Sequence, residues 1–254
     1  MKGTKFIEFS KGTIPIIFSV PHGGFIKVKT IPNRESGVKG IDKNTIEIAR
    51  ELIRIIHKIS GSNSKTPSYI FCNVARIKID LNRPKSKAFF KNSEFASSIY
   101  LDYHQKIKDF ISYNLKLFGK SILIDIHGFE SNKRPHGFRD VDIIIGTNNL
   151  ESILPNKVPK REWGKNIRGR IIKSFIQNGI NIAPGHHLRR EYVLKGGFIT
   201  QTYGFNQIKN SQSLQIEFSD RIRVLDRNLR AKVLQILGET LYREINEPIY
   251  SVKY

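Results

Sequence analysis

Short apolar runs rich in β-branched residues alternate along this chain with longer stretches of helical periodicity, and that alternation restricts the fold more than any other feature. The runs occupy 14–20, 68–74, 121–126, 141–146 and 214–218, each closed by Gly, Asn, Asp or a charged turn, and read as strands. Between them, 44–59 carries Ile46, Ala49, Leu52, Ile53 and Ile56 on one stripe, and 102–118 carries Ile107, Phe110, Ile111, Tyr113 and Leu117. Two further helices are expected at 165–178 and 226–244. Strands alternating with helices of this length imply an α/β sandwich, its largely parallel or mixed sheet covered on both faces. In such folds chemistry collects beyond the carboxyl ends of the strands.

A chain of 254 residues with 39% hydrophobic content can bury a substantial core, and no long linker or internal repeat divides it, so one domain over 1–254 is expected. No apolar run approaches the ~20 residues of a membrane helix. The first residues show no secretory pattern, which makes the cytoplasm the expected location. Cys72 is the only cysteine, so a metal site must be built from histidine and carboxylates; Cys72 itself reads as buried filler. The net charge of +21, from 43 Lys and Arg against 22 Asp and Glu, permits a polyanionic partner such as nucleic acid. The basic residues are nevertheless scattered without a polybasic tail or a binding motif. Ile- and Asn-rich composition also fits codon bias as a source of the lysines.

Four segments carry candidate chemistry. Pro21-His22-Gly23-Gly24 follows an apolar strand, where glycines admit a ligand close to the backbone and His22 is placed to coordinate; a plain strand-capping turn is the rival reading. Asp125-Ile126-His127-Gly128 ends another strand, with Asp125 and His127 on one face, so that the aspartate can fix the tautomer of a metal-binding histidine. In the 214–218 strand Gln215 and Glu217 share a face opposite Leu214, Ile216 and Phe218; Glu217 near a metal can take a proton from water, or the pair can be a solvated edge. The strand-like segment 76–84 ends in Asp80-Leu81-Asn82-Arg83-Pro84. Its arginine forks suit a carboxylate or oxyanion, with Asn82 offering donors beside them.

Together with Gly196-Gly197-Phe198-Ile199-Thr200, these segments resemble, in order and spacing, the N-formylglutamate amidohydrolase family, and more distantly aspartoacylase and the zinc carboxypeptidases. The resemblance implies a three-layer α/β/α, zinc-peptidase-like fold and a zinc-dependent hydrolase that cleaves an N-acyl acidic amino acid with metal-activated water. It implies His22 and His127 as zinc ligands, Glu217 as general base, Arg76 as polariser of the scissile carbonyl, and Asn82 and Arg83 as holders of the substrate carboxylate. Phe25 stands where the distant relatives place a zinc-binding glutamate, so the third ligand must come from elsewhere. Asp42 is the choice, with Glu35 behind it and a helix N-cap as Asp42's alternative role.

Arg139 is a candidate second anion contact. Gly197 should permit a tight turn against the site, and Thr200 or Tyr203 a substrate contact. His104 is expected to pack on a helix, His57 to sit inside a helix without a function, and His136, His186 and His187 to be solvated in loops. A related metallopeptidase, a degenerate anion-binding hydrolase, and a basic nucleic-acid-binding protein on a hydrolase scaffold are the competing functions. The geometric requirement is simple: the imidazoles of His22 and His127 must approach within roughly 5 Å to share one ion with bonds of about 2 Å.

Overall fold

The computed structural model describes residues 5–61, 64–133, 139–154, 158–192 and 194–247. One sheet runs through it, made of β1 (Ile7–Ser10), β2 (Ile16–Val20), β3 (Ser68–Cys72), β4 (Ser121–Phe129), β5 (Ile143–Gly146), β6 (Ile182–Ala183) and β7 (Ser211–Ser219) in the spatial order β1-β3-β2-β4-β7-β5-β6. The central run β3-β2-β4-β7 is parallel; β1 joins β3 and β5 joins β7 antiparallel, and β6 lies parallel to β5. The helices are α1 (Thr45–Ile59), α2 (Lys85–Ala88), α3 (Glu94–Phe118), α4 (Ile167–Gln177), α5 (Phe198–Tyr203) and α6 (Arg227–Glu244).

Two apolar layers flank the sheet, giving the expected three-layer α/β/α arrangement. On one side Ile16, Phe18, Ile122, Ile124, Leu214 and Ile216 pack with residues of α1, α4 and α6. On the other, Ile17, Ile70 and Leu123 pack with α3 and with Ile199 and Tyr203 of α5. β2 is buried at all five positions, as a central parallel strand covered on both faces must be. Each fully buried Ile, Leu or Phe contributes roughly 1.5–3 kcal/mol relative to exposure.

This connectivity places the site. The chain leaves β2 through α1 to reach β3 on one side, whereas it leaves β4 toward β5 on the other, so the carboxyl ends of β2 and β4 flank a topological switch point where a crevice opens. His22 lies two residues beyond β2, and His127 near the end of β4.

The strand and helix expectations hold with shifted ends, except at 76–84. That segment is a turn with a single bridge from Ile79 to Phe89, not a strand, because its polar groups face the buried centre rather than a neighbouring strand. The edge strands β1 and β6 and the short helices α2 and α5 were not anticipated. α3 begins at Glu94, eight residues earlier than the periodicity suggests, behind Ser93, whose side chain accepts from the Ala96 amide. No helix among the described residues is long and apolar enough to cross a membrane.

Candidate metal centre

Strand alternation sends Ser19 of β2, Asp125 and His127 of β4, and Gln215 and Glu217 of β7 to the α3–α5 face, opposite the side chains that pack on α1, α4 and α6. In the parallel register Ser19 neighbours Asp125, Asp125 neighbours Gln215, and His127 neighbours Glu217. Two loops complete the cluster: the one between β2 and α1 supplies His22 and Asp42, and the one between β3 and α3 supplies Arg76, Asp80, Asn82 and Arg83.

His22 Nδ1 and His127 Nδ1 lie 3.2 Å apart. Asp42 Oδ2 is 3.5 Å from the first and 3.4 Å from the second. On the far side of each ring, Nε2–H donates to a fully buried carboxylate: His22 to Asp80 at 2.7 Å and His127 to Asp125 at 2.7 Å. With the proton fixed on Nε2, each Nδ1 presents a bare lone pair. Two such lone pairs and a carboxylate oxygen face one another, an arrangement that repels itself unless a positive centre lies between them. Tetrahedral ligands at 2.0–2.2 Å from zinc are about 3.3–3.6 Å apart, which matches this triangle. The residues present therefore fit a divalent cation. Glu35, the other candidate ligand, is exposed and stands apart from this group, which comprises His22, Asp42 and His127. Asp42 does not cap α1 with its side chain; that position belongs to Asn44, in the left-handed region at φ 62°.

The surrounding charges bias every titratable member. Burial would raise the Asp42 carboxyl, but the His127 and His22 imidazoles beside it, which hydrogen-bond to it from Nδ1 when protonated, outweigh burial and hold the group below its usual range. Asp80 behaves alike: burial opposes ionisation, while His22, Arg76 and Arg34 prevail and lower it. Burial would lower His127, yet the charge and hydrogen bond of Asp125, with Asp42 and Glu217 nearby, hold it well above the ordinary imidazole value, so the same surroundings that favour a proton on Nδ1 favour a cation in its place. Glu217 moves the other way: burial, helped by the Asp42 charge, raises it.

Arg76 Nε donates to Asp80 Oδ2 at 3.2 Å and its Nη1 is 3.7 Å from Asp42 Oδ1, which sets one guanidinium against both carboxylates. Arg83 is 49% exposed, with Nε 3.8 Å from Asp80 Oδ2, so its fork reaches solvent at the mouth. Asn82 Oδ1 accepts from the Ile199 amide at 2.8 Å, and its Nδ2 lies 3.3 Å from His127 Nε2 and 3.5 Å from Gln215 Oε1. Gln215 Oε1 in turn accepts from the Gly197 amide at 2.6 Å while its Nε2 donates to Glu217 Oε1 at 2.7 Å. A Cβ at Gly197 would fall 2.6 Å from Asn82 Oδ1, so this close approach requires glycine.

Other candidates lie farther out. Thr200 is fully buried and its Cγ2 closes on Gly196, whose φ of 106° needs glycine. Tyr203 spends its hydroxyl on His104 at 2.8 Å, and His104 packs as expected. Arg139 donates to the Ile182 carbonyl and lies against Gly185, beside the β6 edge strand. His57 is exposed, His186 and His187 stack with centroids 4.2 Å apart, and His136 lies outside the described residues. Cys72 is fully buried.

Sequence reading missed two groups. Asp80, the partner of His22, was visible only as one letter of Asp-Leu-Asn-Arg. Arg34, 5% exposed with Nη2 3.5 Å from Asp80 Oδ2, had no local signal.

A family model described as N-formylglutamate amidohydrolase matches residues 91–222, more than half of the chain. The chain belongs to the N-formylglutamate amidohydrolase family. Its fold is similar to that of the N-formylglutamate amidohydrolase from Ralstonia eutropha, with a TM-score of 0.66 at 13% identity over 95% of this chain and 97% of that one. A gene product of Agrobacterium tumefaciens gives a TM-score of 0.63 at 16% identity over 96% and 97%. At these identities the likeness concerns the fold. No curated protein matches the sequence. The matched family segment contains Asp125, His127 and Glu217, whereas His22, Asp42 and Arg76 precede it.

Proposed function

We propose that this member of the amidohydrolase family is a zinc-dependent enzyme, one catalytic domain that hydrolyses the amide bond of an N-acyl acidic amino acid, with N-formylglutamate as the reference substrate. The observation that carries this reading is the triangle of acceptors from His22, Asp42 and His127, each imidazole backed by its own buried carboxylate. A divalent ion held there would act as a Lewis acid and bring the pKa of bound water from ~15.7 to about 7.

The chain's own groups supply the rest. Glu217, raised by burial and with Oε1 anchored by Gln215, takes the proton of the attacking water and returns it to the departing nitrogen. Arg76 faces the oxygen of the scissile carbonyl as charge develops on it; one such donor contributes roughly 2.7–4 kcal/mol to the transition state. Arg83, open to solvent, receives the substrate carboxylate in its fork. Asn82 carries one amide hydrogen toward that carboxylate while its oxygen stays on the Ile199 amide. Gly197 keeps Asn82 and Gln215 in place, and Thr200 shapes the turn beneath them. Arg139, seated at β6, is given no part in substrate binding.

Two variants test the assignment. Glu217→Gln should retain one metal ion per chain while turnover of N-formylglutamate falls by roughly 10²–10⁴-fold; His127→Ala should lose both metal and turnover. A Glu217→Gln enzyme with near wild-type kcat refutes the base assignment.

A further inference from the structure

The two loops that build the site are strongly basic. Residues 21–44 and 73–93 contain eleven Lys and Arg against Glu35, Asp42 and Asp80, a net of +8 in 45 of the 254 residues, where an even spread of +21 would give about +4. The outward balance is more lopsided still, because Asp42 and Asp80 are buried against the histidines and only Glu35 is exposed.

On the first loop Lys27, Lys29, Lys39 and Lys43 are exposed, and on the second Lys85, Lys87 and Lys91. Among the described residues none of them pairs with a carboxylate, in contrast to Lys106 on α3, which does. The loops form one continuous surface: the Arg34 amide donates to the Ile77 carbonyl at 2.7 Å, Lys78 Nζ to the Ile31 carbonyl at 2.6 Å, and Ile26 bridges Val74. The two loops that carry His22, Asp42, Arg76 and Arg83 thus present a lysine rim of seven exposed ammonium groups with no carboxylate partner among the described residues. One-signed charge around a low-dielectric cleft concentrates oppositely charged substrate and repels itself when empty.

A single N-formyl acidic amino acid has two carboxylates, which Arg83 with Asn82 and one neighbouring ammonium group suffice to meet. We infer that the substrate is an acidic peptide, an N-acylated chain of several Asp or Glu residues whose further carboxylates lie along the lysine rim. The inference rests on the hydrolytic reading of the site. It adds no new reactant: water adds across the terminal amide, giving the free acid of the acyl group and the peptide's amine. A nucleic acid would match the rim's charge, and the exposed Phe25 ring could stack on a base, but it has no backbone amide to offer the site.

The test compares N-formylglutamate with N-formyl-triglutamate on the zinc-loaded protein, at low and near-physiological ionic strength. kcat/KM should be about tenfold higher for the longer substrate at low salt, and the excess should shrink as salt rises. In the variant Lys27→Gln, Lys29→Gln, Lys85→Gln, Lys87→Gln the excess should vanish, while N-formylglutamate turnover stays within about twofold of wild type, which also reports intact folding. Equal kcat/KM for both substrates in the wild type overturns the inference. If neither substrate is turned over, the hydrolytic reading falls, and fluorescence anisotropy with labelled triglutamate and triglutamine decides the rim by itself. Binding of triglutamate alone, weakened in the lysine variant, sustains the rim as an acidic-peptide surface; equal binding of the two peptides overturns it. A single-stranded oligonucleotide that displaces triglutamate at equal or lower charge concentration also overturns it, in favour of a nucleic-acid surface.

Discussion

Asp125→Asn removes one charge from the centre and almost no shape. Asp125 is fully buried, with Oδ2 accepting from His127 Nε2 at 2.7 Å and Oδ1 accepting from the Ser19 hydroxyl at 2.7 Å. The asparagine oxygen can keep the imidazole hydrogen bond, and the Ser19 hydroxyl, already 2.9 Å from the Tyr103 hydroxyl, can turn to accept from the new amide. What disappears is a negative charge lying across the ring from the ion, at a distance of roughly 6–7 Å. The ion and the Asp42 carboxylate together carry a net charge of +1, and at an effective dielectric constant near 20 the attraction of that unit charge is about 2.5 kcal/mol, close to a hundredfold in affinity and at the upper end of the 10–100-fold typical for the outer partners of metal ligands. The assay is a zinc titration against a chromophoric competitor, with the Tm of the metal-free protein recorded beside it. A weakening of zinc binding by 10–100-fold with a folded apoprotein is expected. Zinc affinity within twofold of wild type would refute the tautomer argument.

Gly197→Ala should lower turnover by about 10²-fold through misplacement of Asn82 and Gln215, while zinc content stays at one ion per chain; elemental analysis with kcat measurement checks both. His104, whose Nε2 donates to the Leu81 carbonyl and whose Nδ1 accepts from Tyr203, has its pKa lowered from 6.5 to about 4 by burial. The unfolded chain therefore takes up this proton first as pH falls, and the stabilisation present above pH 6.5 is lost between about pH 6.5 and pH 4. At about 1.36 kcal/mol per pKa unit the loss amounts to roughly 3 kcal/mol. Urea unfolding at pH 7 and pH 4 should show that decrement in the wild type and a smaller one in His104→Gln; an equal decrement in both would remove His104 as the cause.

The central strands were legible because burial on both faces writes itself as continuous apolar sequence, as in Ile16-Ile17-Phe18-Ser19-Val20. The alternation in β7 separated Gln215 and Glu217 from the core face correctly. β1 and β6, at the sheet edges, are four and two residues long and too short for any period to register. α5 hides behind Gly196-Gly197 and, apart from Gln201, is made of Phe, Ile, Thr and Tyr, poor helix formers; contacts of Ile199 and Tyr203 with the α3-side core hold it.

At the site, motif order led to His22, His127, Glu217 and the Asp80–Arg83 segment. The cooperating groups were not readable. Asp80 meets His22 across 58 positions of sequence, and Arg34 meets Asp80 across a loop whose path only the fold determines. The segment 76–84 mimics a strand because its apolar Ile77, Ile79 and Leu81 alternate with polar residues, yet no neighbouring strand is available to pair with more than Ile79.

The claim beneath the mechanism is that one divalent ion joins the loop between β2 and α1 to the end of β4. Crystals of zinc-loaded protein measured across the zinc absorption edge test it directly. The account requires a single anomalous peak within bonding distance of Nδ1 of His22, Nδ1 of His127 and a carboxylate oxygen of Asp42. Crystals of active enzyme with no peak at that position, or with zinc bound elsewhere in the chain, would contradict it.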